Sequence, residues 1–86
     1  MALYSLFVEH EGKPFGTQMS ASSAQEVAEL FFSHPMAKAV APALEARDVI
    51  YVTPMEDLVN AWAICAGREG RYVSITCFRT EPQQGI

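Results

Sequence analysis

The first nine residues alternate. Tyr4, Leu6 and Val8 fall on one side of an extended chain, and Leu3, Ser5, Phe7 and Glu9 on the other. That period of two predicts a strand from Ala2 to Glu9. His10-Glu11-Gly12-Lys13-Pro14 is polar and holds both glycine and proline, so it turns. A second strand, Phe15 to Met19, completes an N-terminal β-hairpin. The period then changes. Ser22 with Gln25, or Ser23 with Glu26, fits a capping box, and Ala24, Val27, Ala28 and Phe31 follow at helical spacing. His34-Pro35 ends this helix, because the residue before proline is driven out of the α region.

Met36 to Ala46 is alanine-rich and favours helix, with Pro35 suited to a helix start and Pro42 dividing the stretch into two short pieces. Val49 to Thr53 is β-branched and aromatic, and reads as a buried central strand. Pro54 to Ala66 admits two readings. A helix would use Thr53 as N-cap and Gly67 as C-cap, and would leave Ile64 in solvent. The rival is a turn at Pro54–Asp57 and a strand from about Val59. It pairs with the last strand around a two-residue loop, Arg68-Glu69, putting Trp62 opposite Ile75 and Ile64 opposite Val73. That register sorts both strands into an apolar face and a smaller, more polar face, which favours the hairpin. It also sends Cys65 and Cys77 to opposite faces, against an intramolecular disulfide. The expected fold is α+β: an antiparallel sheet of four or five short strands with helices on one face, in the order ββααβ(β)β. The expected core is Tyr4, Leu6, Val8, Val27, Phe31, Ile50, Trp62, Ile64, Val73 and Ile75.

Composition narrows the class. Eighty-six residues make one domain, residues 1–86, with the polar stretch 81–86 expected to fray. Hydrophobic residues are 50% of the chain and mean hydropathy is +0.09, too apolar for a disordered protein. Ten acidic residues against six basic ones give a net charge of −4. Phosphate-backbone binding needs converging cations, so direct nucleic-acid contact is not expected. No apolar run reaches the ~20 residues of a membrane span, and the N-terminus lacks a basic leader; a cytoplasmic location is expected.

Candidate chemistry is sparse. Glu9-His10-Glu11 is the one cluster with a chemical look, yet a solvated hairpin tip explains it. His34 suits a helix end, where a cation meets free carbonyls. Two cysteines without a Cys-x-x-Cys pair and without a neighbouring base offer neither a zinc site nor an activated nucleophile. Gly67-Arg68-Glu69-Gly70-Arg71 fits neither the P-loop nor the dinucleotide spacing. No enzymatic activity, metal or cofactor is expected. Phe32, about 100° from the core stripe of its helix, either packs beneath the Met36–Ala46 segment, the favoured reading, or forms an apolar contact patch; Tyr72, on the smaller-residue face of the last hairpin, is a similar contact candidate.

The N-terminal hairpin leading into Ser22-Ser23-Ala24-Gln25-Glu26-Val27-Ala28-Glu29, on a short acidic chain without an active-site motif, resembles small phage-encoded anti-CRISPR proteins. The likeness covers the build of residues 2–34 and carries over no functional residue. It implies inhibition by occupying a surface of a bacterial CRISPR effector complex. Glu9, Glu11, Glu26, Glu29, Glu56 and Asp57 are then the residues to meet a basic channel, beside Phe32 and Tyr72. The alternative is a bacterial accessory domain working as a homodimer, through a strand edge or the Phe32 patch. A small ligand-binding protein or enzyme using His10 or a cysteine comes third.

Overall fold

A computed structural model describes residues 1–80; the tail expected to fray, residues 81–86, lies outside them. Five strands form one antiparallel sheet: β1 (Ala2–His10), β2 (Lys13–Ala21), β3 (Val49–Pro54), β4 (Ala61–Arg68) and β5 (Arg71–Thr80), ordered β2-β1-β5-β4-β3. Helices α1 (Ala24–Phe31) and α2 (Pro35–Val40), with a 3₁₀ turn at Ala46–Asp48, connect β2 to β3. The α+β architecture expected from the sequence is the one observed.

Two turns of the same chemistry build the sheet. His10 pairs with Lys13 around Glu11-Gly12, and Arg68 pairs with Arg71 around Glu69-Gly70. All four loop residues have positive φ: 52° and 76° in the first turn, 52° and 79° in the second. Positive φ at both central positions is the type I′ pattern, whose twist matches that of the flanking strands. The second loop is therefore Glu69-Gly70, one residue later than the spacing of Gly67 and Gly70 indicated. Trp62 sits opposite Cys77, and Ile64 opposite Ile75. The register moves by two residues, an even number, so every side chain stays on the face anticipated for it. The hairpin reading of residues 54–66 holds, and the helical alternative does not.

Tyr4, Leu6, Val8, Ile64, Val73, Ile75 and Cys77 point from the sheet toward the helices, where they meet Val27, Ala28 and Phe31. Phe31 is fully buried, and burying a side chain of this kind stabilises the fold by about 1.5–3 kcal/mol. Ser23 caps α1: its hydroxyl accepts from the Glu26 amide at 3.1 Å, while the Glu26 carboxylate accepts from the Ser22 amide at 3.0 Å. Pro42 falls between α2 and the 3₁₀ turn, which divides the alanine-rich stretch.

Three expectations change. β3 is an edge strand rather than a central one, because β4 pairs with β5 on its other side. Ile50 is 56% exposed, not core: a bulge between Val49 and Tyr51 turns it outward, and Val49 and Val52 pack inward in its place. His34 acts at the start of α2, not through free carbonyls at the end of α1. Its Nδ1 accepts from the Met36 amide at 3.0 Å. That leaves the ring hydrogen on Nε2, 3.2 Å from the Thr17 hydroxyl, so one imidazole ties α2 to β2.

Glutamate is a poor occupant of a left-handed turn position, which asparagine adopts at lower cost. Glu69→Asn should raise the unfolding free energy by about 0.5 kcal/mol. Urea denaturation measures this, and a loss of stability would contradict the type I′ assignment.

Candidate functional site

One face of the sheet is covered and the other is not. On the covered side Tyr4, Leu6 and Val8 of β1, Ile64 and Ala66 of β4, and Val73, Ile75 and Cys77 of β5 are buried at alternate positions. The opposite side carries Phe7, 52% exposed, and Phe78, 37% exposed, with rings 6.0 Å apart in an edge-to-face contact. They stand on neighbouring strands, Phe7 opposite Thr76 and Phe78 opposite Ser5. Beside this pair β4 presents the half-buried Ala63 and Cys65, while Ala61 is buried. Tyr51 on β3 and Tyr72 on β5 are also exposed.

Two glycines shape this surface. Gly16 lies opposite Phe7 and Gly67 opposite Tyr72. A Cβ added at Gly67 would fall 2.1 Å from the Tyr72 ring, and one at Gly16 would touch Phe7 at 3.6 Å. Each hairpin thus lays an aromatic ring across a cross-strand glycine, restoring packing that the bare backbone would lose. Next to Phe7, the Ser5 hydroxyl accepts from the Gln18 amide at 2.9 Å and shares a hydrogen with Thr80 at 2.6 Å. Ser5, Phe7, Gly16, Thr17 and Gln18 line a depression of about 430 Å³.

The acidic candidates do not converge. Both type I′ turns lie at one end of the sheet, and the Met55–Asn60 loop lies at the other, so Glu9 and Glu11 are separated from Glu56 and Asp57 by the length of the strands. Glu26 is engaged in the α1 cap, whereas Glu29 is exposed. His10 reaches Glu11 at 3.8 Å in an exposed pair of little energetic weight. Phe32 packs edge-to-face on Phe31 at 5.1 Å and lines a depression with Ala37, Ala41 and Leu44, so it is half-buried under the segment that follows it. Tyr72 alone of the two aromatic candidates is well exposed, at 67%. Arg71 and Arg79 take the alternate positions of the strand, away from the Tyr72 side.

Sequence reasoning missed two features. Asp48 is buried, accepts from the Glu45 amide at 2.8 Å, and lies 3.6 Å from the Arg68 guanidinium, which also donates to the Ala43 carbonyl. These contacts anchor the connection before β3 to the end of β4. The second is the Phe7–Phe78 pair. Phe7 was legible as an outward position of β1, but its partner on β5 lies 71 residues away.

Among the described residues, no three His, Cys, Asp or Glu side chains come together in a way that could hold a metal ion. No helix among them is long and apolar enough to cross a membrane. The cysteines are free and face opposite sides, Cys77 in the core and Cys65 half-buried. Burial pushes the Cys77 thiol up from 9.0 to about 11. Comparison with protein families, curated proteins and solved structures finds no significant match for the chain.

A raised thiol pKa in the folded state means that its contribution to stability is fully present below pH 9.0 and is lost as pH rises toward about 11. Denaturation of Cys77→Ala should therefore show less loss of stability across that window than the unsubstituted protein. In a companion measurement at pH 8, an alkylating reagent should modify Cys65 and reach Cys77 only on unfolding. Equal rates at both thiols would contradict the placement of β5.

Proposed function

We propose that the chain is a non-enzymatic protein-binding module whose contact surface is the uncovered face of its sheet. The observation that carries this reading is the exposure of Phe7, Phe78, Tyr51 and Tyr72 on one side of a sheet whose other side holds the core. Aromatic residues concentrate at the energetic centres of protein interfaces, and exposed aromatic side chains gathered on one sheet face fit such a contact. In the form implied by the anti-CRISPR resemblance, the partner is a bacterial CRISPR effector complex, and inhibition follows from steric occupation of one of its surfaces. The scattered placement of Glu9, Glu11, Glu29, Glu56 and Asp57 favours the aromatic face over an acidic surface as the centre of contact.

The experiment is a binding and target-DNA protection assay with purified effector complexes. Phe78→Lys should weaken binding at least about tenfold, as expected when a central aromatic anchor is lost. Glu29→Lys and the pair Glu56→Lys, Asp57→Lys should change it by less than about threefold, as rim charges do. Glu26 is left intact, because its substitution would also damage the helix cap. Retained binding by Phe78→Lys would overturn the assignment of the surface, and the absence of binding to any effector complex would overturn the inhibitor reading.

A further inference from the structure

We infer that His34 is an acid-operated latch: the neutral imidazole holds α2 against the sheet, and protonation releases it. The residue joins three elements. Its amide donates to the Phe31 carbonyl at the end of α1 at 3.0 Å, its Nδ1 accepts from the Met36 amide at the start of α2 at 3.0 Å, and its Nε2 meets the Thr17 hydroxyl of β2 at 3.2 Å. A backbone amide can only donate, so the Nδ1 facing it carries a lone pair and no proton. Adding a proton there sets two donors 3.0 Å apart. The ring cannot turn Nδ1 away without also drawing Nε2 off Thr17. Protonation further places a cation at the start of a helix, the end that the peptide dipoles make positive.

Little else holds α2 in place. It is six residues long, well below the ~12–15 at which a helix persists by itself in water. Of the six only Ala37 and Val40 are buried, and both are small. Among the described residues Lys38 forms no ion pair, and the only side-chain hydrogen bonds that tie α2 down are those of His34. A segment with so few buried contacts belongs to the least stable part of a fold, where one capping bond decides between docked and undocked.

The charges around the ring do not compensate an imidazolium. They are Lys13 on β2, Lys38 on α2, Glu26 and Glu29 on α1, and Glu45 in the connection after α2. Two of these are cations themselves. Glu26 is engaged in the α1 cap, Glu29 is exposed, and Glu45 pairs with Arg47 at 3.0 Å. None of the three carboxylates forms an ion pair with His34. Release of α2 uncovers Ala37 and Val40, and it takes Ala37 from the wall of the depression against Phe32. Acid thereby bares apolar surface on the helical side of the sheet, independently of the aromatic face.

NMR from about pH 8 to the end of the His34 ring titration tests this inference. In the unsubstituted chain the Cα shifts of Ala37 to Val40 should move from helical toward random-coil values in step with that ring, the undocked population rising at least about tenfold. Resonances of Ile64 and Ile75 in the sheet should stay in place. In His34→Asn the side-chain oxygen can cap the same amide without titrating, so α2 should remain formed throughout. His10→Asn, at the first hairpin tip, should leave the acid response unchanged. Helical shifts that persist after the His34 ring has taken its proton, an equal loss of helix in His34→Asn, or release of α2 only together with the sheet would each overturn the latch.

Discussion

The strict alternation of side chains across five strands, held in register by two Glu-Gly turns, is the constraint from which the rest of the structure follows. Once Glu11-Gly12 and Glu69-Gly70 adopt positive φ, each residue of β1, β2, β4 and β5 is committed to one face. One connection, residues 22–48, supplies all the helical cover, and it lies on a single side. Leu6, Ile64, Ile75 and Phe31 are therefore sealed, while Phe7, Tyr51, Tyr72 and Phe78 on the opposite side stay exposed. The apolar composition noted at the outset divides along this line. Part of it builds a dense core, and part of it stands on the open face.

Much of this was legible. Alternation in β1 and the capping signals around Ser23 and Glu26 are local, and they fold as read. The β4–β5 face assignment survived a misplaced turn because the error shifted the register by two residues and so preserved parity. What escaped the sequence was non-local. Val-Ile-Tyr-Val-Thr describes a strand but does not reveal how many neighbours it has. As an edge strand it could bulge, and the bulge released Ile50. His34 was placed at a helix terminus, but its capping role depends on Met36 and Thr17 together. The buried Asp48 beside Arg68 joins residues 20 apart, with no motif announcing it.

The candidate surface was only partly legible, for the same reason. Tyr72 could be assigned to the small-residue face of its hairpin, and it lies there against Gly67. Phe32 departs from its helix stripe as the spacing indicated, and it packs beneath α2 and the turn after it, the favoured of its two readings. The acidic side chains looked like a group in composition and are dispersed in space. The aromatic-over-glycine pairs and the Phe7–Phe78 contact exist only after β1 and β5 have paired. A protein that works by contact has its site in the tertiary register, not in a run of residues.

The central claim is that the open sheet face is the surface by which this chain recognises its partner. Hydroxyl-radical footprinting of the chain, alone and with purified effector complexes, tests it most directly. Protection of the Phe7, Tyr72 and Phe78 rings in the mixture is the predicted result. Unchanged labelling of those rings, with protection at the Leu58–Val59 loop instead, would contradict it.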